Sequence, residues 1–99
     1  MSIVTEHIDA DLEELIPLFM ENTRKEVEEM KASLVEKDFD TLRRLGHSTK
    51  GAALGYGFQT MGGLGLQIED AAKNGSASQV QVLIGELENY LAQVKIVYV

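Results

Sequence analysis

The stretch Thr41–Ile68, TLRRLGHSTKGAALGYGFQTMGGLGLQI, decides the fold. Its first half places Leu42, Leu45, Thr49, Ala53 and Tyr56 three or four residues apart, and its second half does the same with Phe58, Met61, Leu64 and Ile68. That is the period of one helical face, so the stretch predicts two helices that meet near Gly57. None of these 28 residues is an acid, although the chain has 16 Asp and Glu and a net charge of −7. A lone histidine, His47, stands in the gap with Arg43, Arg44 and Lys50 as its only charged neighbours in sequence. A positive spot placed in an acidic protein marks where chemistry is to be expected.

Outward from this core the same period continues in both directions. Asp38 is a good N-cap for the histidine helix, and Asn74-Gly75 suits the left-handed stop of the helix that follows, which adds Ala71 and Ala72 to its inner face. Upstream, a helix from Pro17 to about Glu36 carries Leu18, Phe19, Val27, Met30, Leu34 and Val35 as its apolar positions. Proline belongs in a helix's first turn, where its missing N–H has no partner to lose. Before it, Asp9 or Asp11 caps a short opening helix, with Asp11-x-x-Glu14 as a capping box. Downstream, Ser76 with Gln79 opens a last helix whose inner positions are Val80, Leu83, Ile84, Leu87, Leu91, Val94 and, if it runs on, Tyr98. Connections of a few residues make successive helices antiparallel neighbours. The expected class is all-α: an up-down antiparallel four-helix bundle with a short extra N-terminal helix, one domain over residues 1–99.

Composition narrows the functions available. At 44% hydrophobic residues, 99 residues build one core and no deep catalytic cleft. Three basic residues in an acidic chain do not make the extended cationic face that nucleic acid requires, so no nucleic acid is expected as a partner. Cysteine is absent, which removes thiolate metal sites, thiol nucleophiles and disulfides together. The opening MSIVTEHIDAD lacks the basic flank and apolar run of a signal peptide, and no run approaches the ~18 apolar residues of a membrane span. The expectation is a cytoplasmic protein with no membrane partner, monomeric because no long apolar stripe is left once the bundle closes.

Helical geometry turns His47 away from the inward stripe, toward solvent or a partner, with Arg43 and Arg44 one turn before it and Lys50 and Gly51 one turn after. An imidazole is largely neutral and nucleophilic near pH 7, and an ammonium one turn away can balance charge building on phosphoryl oxygens. Gly51 leaves open backbone where a partner's active site could approach. Seven of the nine glycines, at 46, 51, 55, 57, 62, 63 and 65, fall in these two helices or their junction, each helix-interior one costing about 1 kcal/mol against alanine. Close helix packing accounts for Gly46 and Gly65, whereas Gly51 and Gly62 are expected to project outward. The run of Gly62, Gly63 and Gly65 predicts local fraying. The alternative for His47 is an ordinary solvated face, and for His7, with nothing around it that recruits chemistry, that bland reading stands.

His47-Ser48-Thr49-Lys50-Gly51-Ala52-Ala53, followed by Gly57-Phe58, resembles the H-x-x-K-G motif of histidine phosphotransfer (HPt) domains. The likeness extends over essentially the whole chain and is strongest to the phosphotransfer domain at the front of chemotaxis histidine kinases. The resemblance implies a phosphoryl carrier rather than an enzyme, with His47 as phosphoacceptor on Nε2. It implies that Glu69, 22 residues on, holds the Nδ1 proton, and that Lys50 faces the phosphoryl group. Its implied partners are a response-regulator receiver domain and a sensor histidine kinase. The divalent metal and the acceptor carboxylate belong to the receiver, so the chain itself needs no cofactor and no metal. Arg43, Arg44, Leu54, Gly62 and Leu66, with Tyr56 or Met61, form the expected docking patch. Two positions depart from the pattern: Thr49 stands where an apolar residue is usual, loosening the packing, and Leu66 stands where chemotaxis relatives carry a second histidine.

Other readings compete with this one. A bundle that docks on a kinase or receiver without carrying phosphate would have no reason to retain His47, Lys50, Gly51 and Glu69 together. A kinase dimerisation helix pair would follow its histidine with an acid and then a proline, where this chain has Ser48 and Ala52, and no ATP-binding segment fits in this length. A carboxylate-bridged metal bundle needs Glu-x-x-His on two helices, but Arg44 and Val4 occupy the required places.

Overall fold

A computed structural model describes residues 3–99. Four helices, α1 (Ile16–Val35), α2 (Phe39–Tyr56), α3 (Gln59–Lys73) and α4 (Ala77–Gln93), form the up-down bundle, and a 3₁₀ helix over Ala10–Leu15 leads into α1. The ends obey the expected chemistry. Asp38 accepts from the Thr41 backbone N–H at 3.1 Å, Ser76 accepts from that of Gln79, and Pro17 lies in the first turn of α1. Gly57 ends α2 at φ +98°, a left-handed conformation that costs a glycine nothing. At the opening it is Asp9, not Asp11, that caps, accepting from the Asp11 N–H at 2.9 Å, so the Asp11/Glu14 box does not form.

The core is built from Phe19, Met20, Val27 and Met30 of α1, Leu42 and Ala53 of α2, Met61, Leu64 and Ile68 of α3, and Val80, Ile84, Leu87 and Leu91 of α4. Fully buried Phe58 stacks on Phe19 at 5.4 Å between ring centroids, and Tyr56 lies against the same ring at 4.5 Å. In α1 the inward face is rotated from the expected one. Leu18 and Val35 are exposed, whereas Ile16, Met20 and Thr23 are buried, with the Thr23 hydroxyl donating to the Phe19 carbonyl at 2.9 Å.

Two strands were not expected. β1 (Thr5–Ile8) and β2 (Lys95–Tyr98) pair in parallel, Thr5 opposite Lys95 and Ile8 opposite Tyr98. Tyr98 thus belongs to a strand, because α4 stops at Gln93 and Val94 is already extended. The ladder ties the two ends of the described chain across the foot of the bundle. Its inward residue Glu6 is buried, and its Oε2 accepts from the Thr60 backbone N–H at 3.1 Å and from the Tyr90 hydroxyl at 2.7 Å. Phe58, the N-cap of α3, has no side-chain acceptor to offer, so a carboxylate from β1 supplies the cap from 54 residues away. Burial, then the bond to Glu6, push the Tyr90 phenol far above its ordinary value, so it stays a donor.

What positions the site is the crossing of α2 on α3. A Cβ on Gly46 would stand 2.7 Å from the Glu69 backbone nitrogen, and one on Gly65 would stand 2.6 Å from that of Lys50. The two glycines therefore let backbone meet backbone, and the residues they bring together are those expected to do the chemistry. Gly62 also has a packing reason, since its missing side chain is where the Leu54 side chain sits. Of the three residues behind the expected fraying, only Gly63 faces open space.

Candidate functional site

His47 lies on the outer face of α2 with 66% of its side chain exposed. Glu69 comes from α3 beneath it and is 7% exposed. Its Oε2 is 3.1 Å from His47 Nδ1, and its Oε1 accepts from Lys50 Nζ at 3.0 Å. Lys73, one turn further along α3, brings its Nζ to 3.7 Å from the same Oε2. The hydrogen bond from Lys50 is the main cause holding the Glu69 carboxyl below its ordinary value. Burial opposes that shift, and the bond to His47 adds to it. An ionised carboxylate only accepts, so a neutral ring bonded to it carries its proton on Nδ1 and keeps its lone pair on Nε2.

Lys50 is held by Glu69, so it braces the carboxylate rather than standing free for an incoming group. Gly51 is exposed with open space where a Cβ would be. Arg43 and Arg44 are both engaged by Asp40, at 3.0 and 3.4 Å, and so mark the edge of the positive spot rather than its centre. Leu54 and Leu66 are exposed, at 48% and 43%. Gly62 departs from expectation: it is buried under Leu54 and serves as the seat of that leucine, not as open backbone. Met61 is fully buried, which removes it from the docking patch, and Tyr56 is half-buried against Phe19.

Thr49 does not loosen the packing. It is buried, and its hydroxyl donates to Glu26 of α1 at 3.2 Å, a polar tie from α2 to α1. Burial raises the Glu26 carboxyl, the Thr49 bond opposes that rise, and Glu29 adds to it. Sequence reasoning missed this tie because no local spacing links positions 23 residues apart. Lys73 was also missed, although Glu69 and Lys73 have the i,i+4 spacing of a helical ion pair.

A groove of about 630 Å³ between α3 and α4 is lined by residues such as Gln67, Asp70, Asn74 and Glu86 and contains none of His47, Lys50 or Glu69. Among the described residues no three His, Cys, Asp or Glu side chains converge as a metal ion requires. A nucleophilic nitrogen displayed on an open helix face can be reached by another protein's active site. The fold and the site together define a helical-bundle protein that displays a histidine, bonded to a buried carboxylate, on an exposed helix face.

A family model for the Hpt domain matches residues 14–96, and the chain belongs to that family. Its members carry phosphoryl groups on histidine in phosphorelays, exchanging them with receiver and kinase domains, and are not enzymes. The match runs from the 3₁₀ helix into β2 and leaves β1 outside. No curated protein and no solved structure gave a match.

Proposed function

We propose that Nε2 of His47 takes a phosphoryl group from, or returns it to, the phosphorylated aspartate of a response-regulator receiver domain. The observation that carries this reading is the bond between His47 Nδ1 and the buried, braced Glu69 carboxylate. In the accepting direction the Nε2 lone pair forms the new N–P bond as the aspartyl O–P bond breaks, and that bond's electron pair returns to the aspartate. The ring becomes cationic with its proton still on Nδ1, where Glu69 balances the charge. Lys50 holds Glu69 in place and adds positive potential beside the incoming oxygens, and Gly51 leaves room for the partner's loops. The receiver supplies the divalent cation and the carboxylate.

Leu54 and Leu66 offer the apolar part of the docking face, and the absence of acids from Thr41 to Ile68 keeps repulsion of the phosphoryl group low. The H-S-x-K-G run with its following Gly57-Phe58 supports a place near the phosphotransfer domains of chemotaxis kinases, while Leu66 sets the chain apart from them. The cytoplasm is the compartment this reading requires. Radiolabel passed from a phosphorylated receiver should appear on the native chain and vanish in His47→Gln. A native chain that binds the receiver and never takes label points instead to a docking module without phosphate.

A further inference from the structure

Glu69 is contacted by three groups, and the phosphotransfer reading uses only two of them. Lys50 takes Oε1, whereas Oε2 faces both His47 Nδ1 at 3.1 Å and Lys73 Nζ at 3.7 Å. Two ammonium groups on one carboxylate leave a net positive balance beside the ring. Among the described residues neither ammonium pairs with another carboxylate: Arg43 and Arg44 of α2 are paired with Asp40, Glu26 of α1 is bonded to Thr49, and Asp70 of α3 lines the groove toward α4. His47 Nδ1, Lys50 and Lys73 therefore compete for one carboxylate.

We propose that Lys73 is a positioning residue for the phosphoryl-carrying histidine: by sharing Glu69 Oε2 with His47 Nδ1 it weakens the carboxylate's hold on the Nδ1 proton and lengthens the life of the phosphohistidine. The proposal rests on the reading of His47 as phosphoacceptor. In hydrolysis a water oxygen bonds to phosphorus as the P–Nε2 bond breaks, and the bond's electron pair goes to Nε2. While Nδ1 keeps its proton the ring departs as neutral imidazole, and the two water protons stay with the phosphate as dihydrogen phosphate. Once Nδ1 has lost its proton, the leaving group is an imidazolate, which is far poorer. A cation on Oε2 favours the deprotonated, longer-lived form.

The test uses Lys73→Met, Lys73→Arg, Glu69→Gln and the Lys73→Met/Glu69→Gln double variant. The His47 ring nitrogens are titrated by NMR, and the chain is phosphorylated with phosphoramidate, a small donor that needs no partner surface. A part-exposed ion pair changes proton binding by about two- to four-fold, so Lys73→Met should raise the Nδ1 titration by roughly 0.3–0.6 pH units and, at pH values above that titration, speed phosphate loss by about the same factor. Lys73→Arg should stay near wild type, and Lys73→Met should have no further effect once Glu69 is Gln. Unchanged titration and lifetime in Lys73→Met overturn the proposal, as does an equal shift in the Glu69→Gln background. A native chain that takes no phosphate from phosphoramidate or a receiver overturns the carrier reading instead, and the titration of the unphosphorylated ring then decides the effect of Lys73 on its own.

Discussion

Gly46→Ala tests the contact on which the whole site depends. The new methyl carbon would lie 2.7 Å from the Glu69 backbone nitrogen and 2.9 Å from the Gly65 carbonyl oxygen. Ordinary contact begins at 3.4 Å, so α2 and α3 must part by roughly 0.7 Å, and neither obstacle is a side chain that can turn aside. Alanine favours a helix interior by about 1 kcal/mol over glycine. Overpacking against rigid neighbours costs ~1–3 kcal/mol, and both the His47–Glu69 and the Lys50–Glu69 bonds span the widened gap. The net expectation is a loss of about 1–2 kcal/mol, which for a domain of this size lowers Tm by roughly 5–15 °C. Gly63→Ala is the control. Its methyl would meet open space, so it should gain up to about 1 kcal/mol from propensity alone. Thermal melts of both variants, with the Nδ1–H resonance of His47 as a local probe, decide the matter. A Gly46→Ala protein as stable as wild type with the His47–Glu69 bond intact would refute the claim that backbone contact sets the site.

Three further outcomes are expected. Glu26 is raised above 4.5, so the fold loses stability as pH climbs from that value through the folded one. Glu26→Gln keeps an acceptor for Thr49, and should melt higher than wild type at pH 7 and alike at pH 4 or below. Tyr90 is raised above 10, so past pH 10 the unfolded chain ionises that phenol while the fold resists. Tyr90→Phe should be less stable than wild type by about 1–3 kcal/mol at pH 7 yet lose stability less steeply above pH 10, as read by denaturant melts. Leu66→Ala should slow phosphoryl transfer from a receiver by about five- to thirty-fold, the equivalent of ~1–2 kcal/mol of interface, and leave labelling by phosphoramidate unchanged.

The helices and their order were legible because each is written in local signals: Asp38, Ser76 and Pro17 at the starts, Gly57 and Gly75 at the stops, and a clear 3.6-residue period between. The strands were not. β1 turns Glu6 inward beside Ile8, so its alternation looks polar, and the partners that justify burying Glu6 are Thr60 and Tyr90, far along the chain. β2 follows α4 with apolar residues that continue a helical stripe as readily as a strand, and only pairing with β1 selects between them. At the site, the outward turn of His47 and the approach of Glu69 followed from helix phase and from a family motif. The rotation of α1 that exposes Leu18 and buries Thr23 depends on how α2 and α4 pack against it, which periodicity along one helix does not encode. Gly62 was misplaced for the same reason, because an outward-facing position on its own helix is covered by Leu54 from the preceding one.

The account stands most directly on which ring nitrogen carries the phosphoryl group. Phosphorylated, ¹⁵N-labelled protein examined by ³¹P–¹⁵N NMR should show coupling to Nε2 of His47 alone, with the Nδ1 proton held more firmly in the native chain than in Glu69→Gln. Coupling to Nδ1, or phosphate on a residue other than His47, would contradict the orientation that Glu69 is argued to impose.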